Sequence, residues 1–405
     1  MYSAQPHVAA EARAQKVLTR TSVVRVRARH LLPGRVRGSG RNRCLRTTNP
    51  SSVASKCTCS SVAEVRRLGS GQRQSSGPGD GRPSDSWQPV SVASSSGEVP
   101  STGDLQAAAD RLAGQVRRTP VLEVRGSEFG VAGRIILKLE HTQHTGSFKP
   151  RGALNALLTR EIPPAGVVAA SGGNHGAAVA WAAARLGVPA TIFVPATSPP
   201  TKAARIASYG GQVHVIDGYY DEAVVAAGTY AAHRDVTSVH AYDEPAVVAG
   251  QGTLGLELRE QVPDASAVLV TVGGGGLVAG VTLACRDGGP FVVPIEPTSC
   301  PTLAAALRAG GPVEVEVGGI AADSTGARRA GRIGLQVLRE AGIGVRSVTD
   351  DAIVKAQRVL WERCRIAAEP GGAVACAGLL TGAFRPHPGD TVVVVVCGAN
   401  TATLP

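Results

Sequence analysis

Thr145-Gly146-Ser147-Phe148-Lys149-Pro150-Arg151-Gly152-Ala153 is the stretch on which the reading of this chain turns. It follows an apolar run, Arg134–Leu139, and leads into a segment rich in Ala and Leu. A lysine after a strand is ordinarily a surface residue. This one is set up differently. Gly146 lets the chain turn sharply, and Phe148 can anchor the turn in apolar surroundings. Lys149 then stands at a buried helix start. Desolvation there lowers the pKa of an amine, which is what a lysine nucleophile needs.

Outward from this stretch, apolar runs alternate with alanine-rich helical ones. The pattern predicts strands at 134–139, 166–170, 190–194, 212–216, 267–272, 291–295 and 391–397. It predicts helices at 175–186, 200–209, 222–233, 277–286 and 350–364. Alternation of this kind calls for open, mostly parallel twisted sheets flanked by helices, an α/β class. Such folds bind ligands beyond the carboxyl ends of their strands.

Three further segments lie at such strand ends. Ala170-Ser171-Gly172-Gly173-Asn174-His175-Gly176 joins a strand to a long helix. The first N–H groups of a helix have no intrahelical acceptor, so a carboxylate fits there. An ordinary capped turn would look the same. Val272-Gly273-Gly274-Gly275-Gly276-Leu277 also joins strand to helix. Four glycines let backbone N–H groups wrap a phosphate at the positive end of the helix dipole. A rival reading exists, because Gly274-x-Gly276-x-x-Ala279, with Glu296 about 20 residues on, satisfies a dinucleotide fingerprint. Last, the valines of 392–396, a strand buried on both faces, end on Cys397. Taken alone, Cys397 is a small hydrophobe.

The segment at Glu140, Gln143, Thr145, Gly146, Ser147, Phe148, Lys149, Arg151, Gly152 and Ala153 closely resembles that of fold-type II pyridoxal-phosphate enzymes. Within these it is similar to the threonine/serine dehydratases and serine racemase, and more distantly to cysteine synthases. The resemblance covers residues 103–405. It implies two sheets of the tryptophan synthase β-like kind. Residues 166–244 would form a small domain, inserted in a large one made of 103–165 and 245–405. It implies pyridoxal 5′-phosphate as cofactor, with Lys149 as its Schiff-base lysine and Phe148 beside it. By the same resemblance, Gly273, Gly274, Gly275 and Gly276 hold the phosphate, and Asn174 meets the ring hydroxyl. Ser171, Gly173, Asn174 and His175 receive the substrate carboxylate. Cys397 lies at the pyridine nitrogen. Glu369, in Ala368-Glu369-Pro370-Gly371, lies near the ring or is a surface residue starting a helix.

The activity implied is β-elimination. L-Threonine or L-serine would lose water and ammonia, giving 2-oxobutyrate or pyruvate, with Lys149 removing the Cα proton. A β-replacement reaction and a dehydratase for another β-hydroxy amino acid, such as 3-hydroxyaspartate, are the alternatives. A binding protein that has lost turnover is a third.

The chain departs from the family in two places. The racemase branch needs a serine after Ser171 as its second base. Gly172 stands there instead, so elimination with little racemisation is expected. A divalent-cation site in that branch uses a Glu, a carbonyl and an Asp. Glu296 and the Cys300 carbonyl fit, but Thr302 stands at the Asp position. A hard cation wants charged oxygens. No metal is therefore expected, with Glu296 the sole candidate ligand or else a helix-start residue. No regulatory module is expected beyond residue 400.

Bulk properties fit this reading. Of 405 residues 43% are hydrophobic and only 3% aromatic, so small aliphatics must fill the core. The formal charge of +11 comes wholly from residues 1–100, which hold 16 basic and 5 acidic residues. The rest is balanced, which argues against nucleic acid as partner. Residues 1–100 are Arg-, Ser- and Gly-rich and read as a disordered basic extension. A transit peptide and translated upstream sequence both suit them, and a nucleic-acid-binding arm is a third reading. Eight cysteines, including Cys57-Thr-Cys59, show no zinc spacing, so reduced thiols in a cytoplasmic enzyme are the expectation. No apolar run reaches the roughly 18 residues of a membrane span. A homodimer or homotetramer acting on a small amino acid is expected.

Overall fold

The computed structural model describes residues 98–218 and 220–401. Nearly all of the basic extension, with Cys44, Cys57 and Cys59, lies outside the described residues. The chain runs through α1 (Thr102–Leu112), β1 (Val121–Arg125), β2 (Arg134–Lys138), α2 (Lys149–Leu158), β3 (Val167–Ala170) and α3 (Asn174–Leu186). Next come β4 (Ala190–Pro195), α4 (Pro200–Ser208), β5 (Gln212–Ile216), α5 (Tyr220–Ala232), β6 (Thr237–Ser238) and α6 (Pro245–Gln261). There follow β7 (Ala267–Thr271), α7 (Gly276–Cys285), β8 (Phe291–Pro297), α8 (Thr302–Ala309) and α9 (Ala322–Thr325). The chain closes with α10 (Arg332–Glu340), β9 (Arg346–Val348), α11 (Asp350–Cys364), α12 (Pro370–Leu380) and β10 (Thr391–Val395).

The strands form two sheets. One has six strands in the order β1-β2-β10-β7-β8-β9, the other four in the order β5-β4-β3-β6. Every pairing is parallel except β1 with β2. The predicted α/β class with two mostly parallel sheets is therefore the fold observed.

β10 shows why a run of valines forms a central strand. Side chains alternate across a sheet. Val393 and Val395 enter one apolar core with α6 and α7, and Val392, Val394 and Val396 enter the other with α12. All five are fully buried. Between Val392–Val394 and Ala267–Leu269 the register is one to one, so β10 and β7 end at the same level. Their exits carry Cys397 and the glycine loop.

Each predicted element agrees with an observed one to within a residue or two, but several observed elements, among them α1, α6, α8 and α10, have no counterpart in the predicted set. Gly250, Gly252 and Gly255 of α6 are residues of low helix propensity. They are contact points. A Cβ at Gly250 would lie 2.5 Å from the Arg151 carbonyl, and one at Gly252 would lie 2.6 Å from Leu105. Glycine lets α6 press onto α1, α2 and α7 at a range no side chain permits.

Candidate active site

Lys149 opens α2, with Pro150 in the first turn. The loop before it carries two successive left-handed residues, Thr145 (φ 60°) and Gly146 (φ 74°). Glycine is required at 146, where a Cβ would strike the Asn400 side chain. Backbone bonds then stitch this loop to the end of β10. Phe148 N–H donates to the Cys397 carbonyl at 3.1 Å, and Ala399 N–H to the Gly146 carbonyl at 2.9 Å. Lys149 and Cys397 are thereby held side by side.

The Lys149 residue is half-buried, with its ammonium end directed inward, and its Nζ donates to the Ala241 carbonyl at 2.8 Å. Desolvation of that end pulls its pKa down to about 8, and Cys397 opposes this. Cys397 is buried, and burial pushes its thiol up to about 12. It is neutral at physiological pH, and its Sγ donates to the Gly371 carbonyl at 3.4 Å.

Lys149, Phe148, Asn174, Glu369, Cys397 and Gly273 to Gly276 line one inner chamber. Lys149 also closes the floor of an outer cleft of about 670 Å³ lined by Ser171, Gly173, Asn174 and His175. The structure thus brings together every residue assigned above to cofactor or substrate, and Glu296 is not among them.

The glycines leave room only for backbone. A Cβ at Gly273 would lie 3.1 Å from Thr325 Cα, and one at Gly274 would collide with the Tyr242 ring. Gly275 has φ +99°. The first-turn N–H groups of α7 lack intrahelical acceptors and face a dipole that favours an anion.

In the loop before α3, Gly173 N–H donates to Ser171 Oγ at 3.2 Å. Asn174 Nδ2 donates to Glu369 Oε1 at 2.6 Å, and Asn174 Oδ1 accepts from Asn400 Nδ2 at 2.6 Å. The His175 ring does not reach for the cleft. Its Nε2 pairs with the Val239 carbonyl at 3.0 Å. Burial, reinforced by the charge of Lys149, lowers it to about 3, so it is neutral. Any anion it receives must therefore meet its backbone N–H.

Glu369 is not a surface residue. It is only 2% exposed, and it stands at the N-cap position of α12, where its side chain makes no capping bond and lines the chamber instead. Burial pushes it up to about 7, and the Asn174 hydrogen bond pulls the other way. Its Oε2 and the Gln251 Oε1 are buried without a partner. Such acceptors point to a donor-bearing ligand.

Glu296 is also buried, and it serves α8. Its Oε2 accepts from Leu303 N–H at 3.1 Å and its Oε1 from Ala304 N–H at 3.2 Å. Both oxygens are thus committed, which removes the acidic partner of the dinucleotide reading. Among the described residues no group of three His, Cys, Asp or Glu could hold a metal ion. Nor is any helix among them long and apolar enough to cross a membrane.

Sequence reasoning missed Tyr242, Gln251, Thr271, Ser324 and Thr325, which also line the chamber. Ser324 and Thr325 sit on α9, a four-residue helix with no periodic signature. The Gly273 cradle, too tight for a Cβ, fits a phosphate. The unpaired Glu369 and Gln251 oxygens fit a polar ring. The observed residues therefore suit pyridoxal 5′-phosphate.

Comparison with known proteins gives the same direction. Residues 112–398 match the model of the family described as pyridoxal-phosphate dependent enzyme. The L-threonine ammonia-lyase of Geobacter sulfurreducens is 37% identical over 298 residues, covering 73% of this chain and 74% of that protein. The L-threo-3-hydroxyaspartate ammonia-lyase of Saccharomyces cerevisiae is 34% identical over 306 residues, covering 75% and 94%. Among solved structures, a threonine deaminase from T.th. superposes with a TM-score of 0.70 at 36% identity, over 76% of this chain and all of that one.

Proposed function

The chain belongs to the family of pyridoxal-phosphate dependent enzymes, and from that premise we propose that it removes water and ammonia from L-threonine or L-serine. The observation that carries this is an inward-pointing lysine amine, lowered to about 8, on the floor of a cleft whose wall is a helix N-terminus. Relatives named as threonine ammonia-lyases support the substrate class.

When bound, pyridoxal phosphate supplies an electron sink for the pair left behind when a substrate Cα loses its proton. The chain's own residues do the rest. Gly273 to Gly276 and the first turn of α7 would grip the phosphate. Asn174, already oriented by Glu369 and Asn400, would meet the ring hydroxyl. The α3 N-terminus at Ser171 to His175 would hold the substrate carboxylate and so fix Cα over the lysine. Near pH 8 about half of Lys149 is neutral and able to take that proton. Departure of the β-hydroxyl completes the elimination, and hydrolysis of the released enamine gives the 2-oxo acid and ammonia. The division into a small domain, 166–244, and a large one belongs to the same proposal. It is supported by a four-stranded sheet drawn wholly from 167–238.

The yeast relative named for 3-hydroxyaspartate keeps a second substrate in view. The test is an ammonia-release assay of the pyridoxal-phosphate-loaded protein with L-threonine, L-serine and L-threo-3-hydroxyaspartate, without sulfide. Ammonia and 2-oxobutyrate from threonine, or ammonia and pyruvate from serine, are expected. Release from hydroxyaspartate alone would move the assignment to that acid. Turnover that needs a sulfur nucleophile would move it to β-replacement.

A further inference from the structure

Gly172 lies between Ser171 and Gly173 in the loop before α3 and has no side chain, yet the space beside it is filled. A Cβ built on Gly172 would overlap Ser198 Oγ and stand 2.7 Å from Ser198 Cβ. The next atom is Pro195 Cδ at 3.4 Å. The hydroxymethyl of Ser198 therefore occupies the volume that a side chain at 172 would take.

Ser198 is aimed there by its backbone. It sits between β4 and α4, and its N–H donates to the Pro195 carbonyl at 2.9 Å. Pro195, Pro199 and Pro200 fix torsions on both sides of it. A serine has one χ angle to set, so the hydroxyl has little freedom to wander.

The polar side chains around this loop are otherwise engaged. Ser171 accepts from Gly173, Asn174 is tied to Glu369 and Asn400, and the His175 ring to Val239. Lys202 Nζ, 4.0 Å from a Cβ position on Gly173, is held by Asp323 at 2.5 Å. Ser198 Oγ has no hydrogen-bond partner among the described residues. It lines the same cleft as Lys149, Gly172 and Gly173.

We propose that Ser198 is a substrate-contacting, specificity-determining residue, whose hydroxyl stands in the side-chain place of residue 172 and donates to the α-carboxylate of the bound amino acid. This rests on the cleft being the amino-acid site proposed above. A carboxylate at the α3 N-terminus meets N–H groups along the helix axis, and Ser198 adds a donor from the side.

Ser198→Ala in the loaded enzyme removes the hydroxyl and keeps the Cβ that packs on Gly172. The KM for L-threonine should rise about tenfold, the scale of one hydrogen bond to a charged group, with kcat much less affected. The melting temperature and the visible absorbance of bound cofactor should not change. Gly172→Ser alone should clash and lower both stability and activity. The exchange Gly172→Ser with Ser198→Gly should recover most of the loss, because the hydroxyl is returned from the other residue.

A KM for Ser198→Ala within about twofold of the parent, or an exchange variant no better than Gly172→Ser, would overturn the proposal. Titration of the bound-cofactor spectrum with L-alanine separates this from the activity assignment, since alanine has the carboxylate and no leaving group. If the parent proves inactive on threonine and serine while Ser198→Ala still weakens alanine binding, the elimination reading fails and the Ser198 contact stands. A loss confined to β-hydroxy amino acids would mean that Ser198 meets the β-hydroxyl, and the carboxylate contact would be wrong.

Discussion

Arg151 grips Glu140 with two hydrogen bonds, Nε to Oε1 at 2.5 Å and Nη2 to Oε2 at 3.0 Å, two residues beyond Lys149. Glu257 joins them, accepting from Arg151 at 2.6 Å and from Lys138 at 2.8 Å. Thr119 Oγ1 donates to Glu140 Oε2 at 2.7 Å. The cluster is buried, and it clamps the first turn of α2 to β2 and α6. Lys149 can then project from a fixed base. Removing one member strands the others in an apolar setting. Arg151→Met is expected to cost about 3–5 kcal/mol, read by denaturant unfolding of the loaded enzyme. A loss of less than about 1 kcal/mol would show that the cluster does not fix the helix start.

Lys149→Ala should abolish the visible absorbance that the bound cofactor gives the parent. It should also lower turnover by at least about 10³-fold, since the same amine is the proposed base. Its fold should persist, because among the described residues the Lys149 ammonium makes one hydrogen bond, to Ala241, and near-native circular dichroism checks that. A variant keeping both colour and activity would remove Lys149 from the chemistry.

The sequence conveyed more of the site than of its supports. Lys149, the loop at Ser171 and the glycines at 273–276 stand at chain turns, where backbone demands show in residue type. Glu140 and Arg151 were visible as a motif, but nothing in the spacing said that they pair with each other rather than with a ligand. Long-range partners such as Glu257 and Lys138, 119 positions apart, have no local signature. The α6 helix was hidden because its glycines serve tight packing, and sequence cannot separate that from helix breaking. Ser198 was silent for a similar reason. Its meaning depends on Gly172, which only the folded chain brings against it.

Glu369 should leave a mark on the pH dependence of stability in the cofactor-free protein. Its pKa is raised from an ordinary 4.5 to about 7. Well below pH 4.5 the folded and unfolded chains both hold the proton, and well above 7 both have released it. Between these limits the folded chain holds more of it, so stability falls as pH rises through this window. Glu369→Gln cannot titrate and should lack this contribution. Unfolding midpoints at pH 5 and pH 8 would test it: the parent should lose more between them than the variant. Equal losses would mean that Glu369 does not titrate there.

Cys397 bears on the choice of reaction. Its thiol, pushed up to about 12, is neutral at working pH, and its neighbours are Gly371 and Glu369. Were a pyridine nitrogen bound beside it, a neutral thiol would hold no proton there as a carboxylate would. The sink would then be weaker, which would suit elimination of a β-hydroxyl better than chemistry that needs a fully delocalised carbanion. Cys397→Ser keeps a neutral donor of similar shape and should retain activity to within about tenfold, a cost of about 1.4 kcal/mol. Cys397→Asp puts a carboxyl group beside Glu369, where any ionised fraction would hold a proton on a pyridine nitrogen bound there and repel the Glu369 charge. Ammonia release should then fall by more than about 100-fold, or about 2.7 kcal/mol in the barrier. If Cys397→Asp instead matched the parent on L-threonine, a neutral residue at this position would not be a condition of the chemistry.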